Sequence, residues 1–215
     1  MILSIGSAKT LMHDLQPLGN LSFLPMSEKG AITLNSDFKE LLNLLNEAQA
    51  KDLVVGGYAV IEYTEPRYTK DLDIWVSPER NNAERVYTAL KQFGAPLANI
   101  TIEDFTNPNL VYYLGRPPVR VDILMGLTGL EFERSWSNRV EGNYGEIQTQ
   151  FISIEDLIIT KSKAGRPQDI IDVENLRLTL KRKESSEPAK VSEPEQKPVR
   201  KKGKNRKTNP NESGI

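Results

Sequence analysis

The chain has 215 residues and a formal net charge of -1 at pH 7, and 38% of its residues are hydrophobic, which is enough for one folded domain. It contains no cysteine and one histidine, His13, so disulfides, thiolate metal sites and histidine clusters are excluded. No apolar run approaches the roughly 20 residues of a membrane span and no signal peptide is evident, so we expect a cytoplasmic protein with no membrane contact.

The first 35 residues show no clear hydrophobic period, and we expect the folded domain to begin after them. Residues 36–45 have the spacing of an amphipathic helix, with Ser36 as the N-cap. Met26 is an alternative start of translation, which would leave residues 1–25 as an artefact of gene prediction or as a loose arm.

A glycine turn follows the first strand-like run. Leu53, Val54 and Val55 predict a short buried strand, and Gly56-Gly57 then lead into a helix. Backbone N–H groups in such a turn, together with the positive end of the helix, favour a bound phosphate. The alternative is a tight connection with no ligand.

Two aspartates stand in the next strand-like run, Asp71 to Val76. Alternation along a strand places Asp71 and Asp73 on one face, with α-carbons roughly 6.5 Å apart. Like charges on one face repel unless a cation lies between them, and two carboxylates suit Mg²⁺ or Mn²⁺. The polar loop before the strand contains Thr69, which could hold either carboxylate in position. A half-exposed edge strand with a polar face is the alternative.

A third acid, Asp122, lies in the strand-like run of residues 119–124. If this strand neighbours the first acidic one, three carboxylates could converge as a two-metal phosphoryl-transfer site requires. The alternative is a salt bridge from Asp122 to Arg116 or Arg120. Between the two acidic strands the pattern predicts a helix near residues 81–93 and a strand near residues 111–114.

The remaining elements of the domain are a helix near residues 129–139, a strand near 146–152 and two final helices. Ser153 caps the first of these, from which Lys161 projects, and Pro167 suits the first turn of the second. We expect the apolar stripe of the second helix to comprise Ile170, Ile171, Val173 and Leu176. For Lys161 and its basic neighbours Lys163 and Arg166, a solvated helix end is the alternative to a binding role.

The order of these elements predicts an α/β (α+β) fold over residues 36–182: a mixed β-sheet with flanking helices and a helical C-terminal end. Residues 183–215 are rich in Lys, Glu, Pro and Ser and are expected to form a disordered basic tail. Residues 181–215 hold 11 Lys or Arg and five Asp or Glu, so the rest of the chain has a net charge of -7. An acidic body does not attract phosphates at long range, so binding must depend on local donors and metal ions.

The quoted segments resemble the nucleotidyltransferase superfamily related to DNA polymerase β, and in particular small bacterial proteins akin to the AbiEii toxins of type IV toxin–antitoxin systems. The shared signature is a Gly-Gly or Gly-Ser pair that opens a helix, an acid-hydrophobic-acid strand and a third acid on another strand. The resemblance implies the nucleotidyltransferase fold, with Lys161 helping to hold the nucleotide and Asp169 supporting the site. Gly57 departs from the pattern, because many members have a serine there that touches a phosphate.

We therefore expect a Mg²⁺- or Mn²⁺-dependent nucleotidyltransferase that moves a nucleoside monophosphate from an NTP to a hydroxyl group and releases pyrophosphate. The expected metal ligands and catalytic residues are Asp71, Asp73 and Asp122, and the expected nucleotide-binding residues are Gly56, Gly57, Thr69 and Lys161. The acceptor could be tRNA, a protein or a small molecule, and a cognate antitoxin is a possible partner. The alternative is a non-catalytic module of the same fold that binds a nucleotide or a partner; the presence of all three acids favours the enzyme.

Overall fold

The structure of the protein, a computed structural model, describes residues 35–116 and 119–186. Its strands are β1 (Asp52–Val55), β2 (Asp71–Val76), β3 (Val111–Arg116), β4 (Val119–Leu124), β5 (Val140–Tyr144) and β6 (Ile147–Phe151). Its helices are α1 (Ser36–Glu47), α2 (Gly56–Tyr63), α3 (Arg80–Gln92), α4 (Phe132–Ser137), α5 (Ile154–Ala164) and α6 (Pro167–Ser186), with a 3₁₀ turn at Glu103–Thr106.

The six strands form one mixed sheet in the order β3-β4-β2-β1-β6-β5. Strand β2 lies between β1, to which it is antiparallel, and β4, to which it is parallel. A parallel pair requires a long crossover, and here the chain between β2 and β4 supplies it with α3, the 3₁₀ turn and β3. The predicted mixed sheet with flanking helices is confirmed.

The hydrophobic core lies between the central strands and the helices. Leu72, Ile74 and Val76 on β2 are fully buried, as are Leu53 and Val54 on β1. Helix α1 turns its apolar face, formed by Phe38, Leu41, Leu42 and Leu45, toward the core and packs on α3 and β6. Burial of each such side chain contributes about 1.5–3 kcal/mol. The two central strands are therefore held rigidly.

Some local predictions near the ends of elements are wrong. Asn35, not Ser36, caps α1, because its Oδ1 accepts a hydrogen bond from the Asp37 N–H at 2.8 Å. Helix α4 is shorter than predicted, since Gly129 adopts a positive φ of 82° in the turn before it. Strand β5 was not predicted; it pairs with β6 through a turn at Gly145.

Helix α6 differs from the prediction on its buried face. Of the four predicted stripe residues, Val173 and Leu176 are buried as expected, whereas Ile170 and Ile171 are more than half exposed. Asp169 and Asp172 are buried in their place. The buried face therefore begins with two acids instead of two isoleucines, because these acids have cationic partners inside the protein. The helix also continues to Ser186, beyond the predicted start of the tail at residue 183.

Predictions for residues 1–34, including Met26 and His13, and for the tail beyond residue 186 fall outside the described residues. Within the described ranges, none of the helices combines the length and the apolar character that crossing a membrane requires.

Candidate active site

The three predicted acids stand on adjacent strands at the centre of the sheet. Asp71 and Asp73 alternate with the fully buried Leu72 along β2, so both face away from that part of the core. In the parallel pairing of β2 with β4, Asp73 lies opposite Asp122 and Asp71 lies opposite Arg120. The predicted placement of Asp71 and Asp73 on one face, and the neighbouring position of the Asp122 strand, are confirmed.

Arg120 joins two of these acids through its guanidinium group. Its Nε donates to Asp122 Oδ1 at 2.6 Å, and one terminal nitrogen donates both to Asp122 Oδ2 and to Asp71 Oδ2 at 2.9 Å. The guanidinium also lies 5.3 Å from the centre of the Tyr113 ring, a cation–π contact. The salt bridge from Asp122 to Arg120, which the sequence left open as an alternative, is therefore present.

The acids perturb one another's protonation. Burial raises the pKa of Asp73 to about 6, with a further upward contribution from the charges of Asp122 and Asp71. The charge of Lys161 and a hydrogen bond from the Gly57 N–H act in the opposite direction. Burial also raises the pKa of Asp122, and the hydrogen bonds and charge of Arg120 oppose that shift. The three carboxylates thus concentrate negative charge in one place, and a further cation would reduce their mutual repulsion.

The donor set suits a hard divalent cation, although the side chains do not enclose one as they stand. Asp71 Oδ1 is buried and has no hydrogen-bond partner, so it is a free acceptor beside two more carboxylates. Among the residues that the structure describes, no three Asp, Glu or His side chains are grouped closely enough to hold a metal ion. The Arg120 guanidinium, which bonds to both Asp71 and Asp122, takes up oxygens that a metal ion would otherwise use. Asp71 and Asp73 are the residues that could hold a metal.

The glycine turn leads directly into α2 and packs against the acids. Gly56 has a φ of 61°, and a Cβ on it would overlap the Asp73 carboxylate. A Cβ on Gly57 would overlap the Thr69 hydroxyl. Neither position tolerates a side chain without rearrangement, and the Thr69 hydroxyl fills the space where a side chain at residue 57 would begin.

Lys161 sits in a buried network of charges between α5 and α6. Its Nζ lies 2.9 Å from Asp169 Oδ1 and 3.0 Å from Asp172 Oδ2. Arg166 Nε donates to Asp169 Oδ2 at 2.6 Å, and a terminal nitrogen of Arg67 donates to Asp172 Oδ2 at 2.9 Å. The side chain of Lys161 is 8% exposed, and those of the two aspartates are at most 1% exposed.

The same network sets the protonation of its acids. Although burial favours a higher pKa, the hydrogen bonds and charges of Arg166 and Lys161 lower the pKa of Asp169. For Asp172, burial is likewise outweighed by hydrogen bonds from Gln168 and Lys161 and by the charges of Lys161 and Arg67, which lower the pKa. Both aspartates are therefore ionised at neutral pH and hold Lys161 beside Asp73.

A cavity of about 290 Å³ brings several predicted residues together. Its walls include Gly56, Asp73 and Lys161, with Lys163 and Arg166 at its basic end. Gly57, Thr69, Asp71 and Asp122 are not part of its walls. Gly56 of the glycine turn, Asp73 and the basic end of α5 thus face one space that could receive the phosphates of a nucleotide.

Three residues with evident roles in this arrangement were not predicted as site residues. Asp172 follows Asp169 at i+3, a spacing that places both acids on one helix face. Arg120 alternates with Asp122 on β4 and so shares its face. Arg67 carries no local signal, since its partner Asp172 is 105 residues away.

Comparison with known proteins gives a family match over most of the chain. Residues 32–182 match the family described as "Nucleotidyltransferase of unknown function (DUF6036)". Among solved structures, the lincosamide antibiotic adenylyltransferase LnuA in its lincomycin-bound form is similar, with 18% sequence identity and a TM-score of 0.46. The match covers 67% of this chain and 97% of that one. No curated protein matches the chain.

Proposed function

The chain belongs to this DUF6036 family of nucleotidyltransferases, and we propose that it is a metal-dependent enzyme that transfers a nucleoside monophosphate from an NTP to a hydroxyl group. The observation that carries the proposal is the register that sets Asp71 and Asp73 on β2 beside Asp122 on β4, next to the glycine turn and Lys161. Burial and the charges of Asp122 and Asp71 raise the pKa of Asp73, so this arrangement of acids is costly unless a further cation binds. This argues for chemistry at the site.

Different residues of the site would carry out different parts of the reaction. Asp71 and Asp73 would hold Mg²⁺ or Mn²⁺, with Asp122 completing the site. A metal ion held there would supply positive charge that offsets the charge of the phosphates and lowers the pKa of the attacking hydroxyl. The hydroxyl oxygen bonds to the α-phosphorus, the bond to the bridging oxygen of pyrophosphate breaks, and Asp122 takes the hydroxyl proton.

Phosphate binding rests on local donors, because the body of the protein is acidic. Gly56 and Gly57 let backbone N–H groups at the start of α2 approach an anion, and Thr69 adds a hydroxyl beside Gly57. Arg67 has a buried Nε without a hydrogen-bond partner in the same region. Lys161, held in place by two aspartates, supplies a fixed positive charge at the cavity.

A second cavity, of about 390 Å³, favours a small-molecule acceptor over tRNA. It shares Leu127 and Thr128 with the first cavity, and its wall includes Trp75, two residues beyond Asp73 on β2. No Lys or Arg is among its described lining residues, whereas Glu131 is. Such a space suits a neutral or cationic molecule better than a nucleic-acid backbone.

Transfer of radioactive label tests the proposal. The protein is incubated with each α-labelled NTP and Mg²⁺ or Mn²⁺, with total tRNA, lysate protein or a small-molecule extract as acceptor. We expect transfer to one acceptor class, lost in EDTA and in Asp73→Asn, whereas the matched control Asp37→Asn in α1 retains it. Circular dichroism of both variants confirms folding.

The competing function is a non-catalytic module, and the ion pairs of Arg120 with Asp71 and Asp122 are the observation that favours it. Binding of NTP without transfer to any acceptor would support that alternative.

The toxin hypothesis needs a separate test, because a transferase need not be toxic. Growth arrest on expression of the wild type but not of Asp73→Asn, relieved by a neighbouring antitoxin gene, would support it; normal growth would count against it.

A further inference from the structure

The positive charge of Arg120 lies beside Asp71 and Asp122, where the proposed metal ion would also bind. Its guanidinium makes three hydrogen bonds to the oxygens of Asp71 and Asp122, with distances of 2.6–2.9 Å. These are two of the three residues to which metal binding is assigned above. An internal positive charge thus balances part of the negative charge that a divalent cation would balance.

The pairing leaves part of the site open. Asp71 uses only Oδ2 for Arg120, and its Oδ1 is buried without a partner. Asp73, on the same strand face, makes no hydrogen bond or ion pair with Arg120. An incoming cation therefore has free carboxylate oxygens to bind before the guanidinium leaves.

The geometry also gives Arg120 room to move. Its side chain is 30% exposed, and its neighbour Tyr113, on the edge strand β3, is 46% exposed. The guanidinium is therefore already in contact with water, which can solvate it when it leaves the carboxylates. The Lys161 network, by contrast, is almost completely buried.

We propose that Arg120 is an exchangeable counterion that holds Asp71 and Asp122 in place without metal and is displaced from them when the metal binds. The inference rests on the proposed function, since it takes these acids as metal ligands. Displacement removes the hydrogen bonds and the positive charge that the guanidinium brings to both oxygens of Asp122, and so makes this carboxylate a better proton acceptor for the hydroxyl. Metal binding and release of the catalytic base are then one event.

The test measures metal binding without any transfer reaction. Mn²⁺ is titrated into the nucleotide-free protein and followed by electron paramagnetic resonance, for the wild type, Arg120→Gln and Arg120→Lys. The control Arg177→Gln removes the same charge at an exposed position on α6. Removal of a unit charge in contact with the ligands of a divalent ion is expected to strengthen Mn²⁺ binding at least about tenfold in Arg120→Gln. Arg120→Lys is expected to be intermediate and Arg177→Gln unchanged.

Thermal unfolding provides a second readout. In EDTA, Arg120→Gln is expected to melt below the wild type, because its carboxylates lose their counterion, and Mn²⁺ is expected to raise its Tm more than that of the wild type. Equal or weaker Mn²⁺ binding in Arg120→Gln, with the wild type still binding the ion, would overturn the counterion role and leave the transferase proposal intact. Absence of Mn²⁺ binding in all variants, also with NTP present, would overturn both.

Discussion

Replacement of Lys161 by methionine tests how strongly the buried charge network stabilises the fold. Methionine fills a similar volume but carries no charge, so Asp169 and Asp172 would each lose a partner at 2.9–3.0 Å. Each aspartate would keep one arginine, Arg166 or Arg67. The change therefore removes one of three cations that face two buried anions.

The expected loss of stability follows from burial. Removal of one partner from a buried ion pair costs about 3–5 kcal/mol, because a charge is left without compensation in a poorly solvated place. The arginines that remain, of which Arg166 is 73% exposed, offset part of this cost. We therefore expect about 3 kcal/mol, or a fall in Tm of about 6–12 °C for a domain of this size.

Urea denaturation at pH 7 in the absence of nucleotide measures this loss. The matched control is Lys163→Met, two residues along α5 and exposed, for which we expect a change below about 0.5 kcal/mol. The double variant Lys161→Met/Asp169→Asn should recover much of the loss, since the neutral side chain no longer needs Lys161 and the exposed Arg166 can be solvated. A loss below about 1 kcal/mol in Lys161→Met, or a further loss in the double variant, would refute the reasoning.

The same variants have a defined pH dependence. The folded-state pKa values of Asp169 and Asp172 are lowered, so the stability that these acids contribute is present above the ordinary aspartate pKa and is lost as the pH falls below it. The difference between wild type and Lys161→Met should therefore shrink below about pH 4. If the double variant regains stability but not NTP affinity, Lys161 also has the nucleotide-binding role expected from the sequence.

Two further predictions concern Gly57 with Thr69, and Asp52. Gly57→Ser should lower both Tm and NTP affinity, because the new side chain meets the Thr69 hydroxyl. Thr69→Ala should also lower NTP affinity. The double variant Gly57→Ser/Thr69→Ala should bind NTP better than either single variant, as measured by calorimetry. A double variant no better than Gly57→Ser would show that the two hydroxyls are not interchangeable. Burial raises the pKa of Asp52 to about 7, so the folded protein holds its proton more tightly than the unfolded chain and stability falls as pH rises from about 4 to 7. Asp52→Asn should therefore gain on the order of 2–4 kcal/mol over the wild type in urea titrations at pH 8 and nothing at pH 4, and an equal effect at both pH values would contradict this account.

The sequence predicted the acidic strands well because their signal is local. Alternation with period two places Asp71 and Asp73 on one face whatever the tertiary structure, and the glycine pair marks the strand-to-helix turn before them. That β2 and β4 are neighbours is not a local property. It depends on the crossover through α3. The sequence therefore predicts that Asp73 and Asp122 lie together only if the two strands are neighbours.

The buried face of α6 shows where hydrophobicity misleads. Ile170 and Ile171 were expected inside, but Asp169 and Asp172 occupy the inner positions. A buried aspartate is unfavourable unless cations are already in place, and those cations come from α5 and from the loop before β2. Arg67 in that loop is 105 residues from Asp172 in sequence, and no short window of residues contains both partners.

The two cation–carboxylate clusters next to Asp73 have different burial, and this difference assigns them different roles. The Lys161 cluster is closed, with its lysine and both acids at most 8% exposed, so opening it would leave charges in a poorly solvated place. The Arg120 cluster is more accessible to water, with side chains 11–30% exposed, so the guanidinium can be solvated when it leaves the carboxylates. In the proposed mechanism, the first cluster would therefore hold a phosphate-binding charge in a fixed position, and the second would be the side of the site from which a metal ion enters.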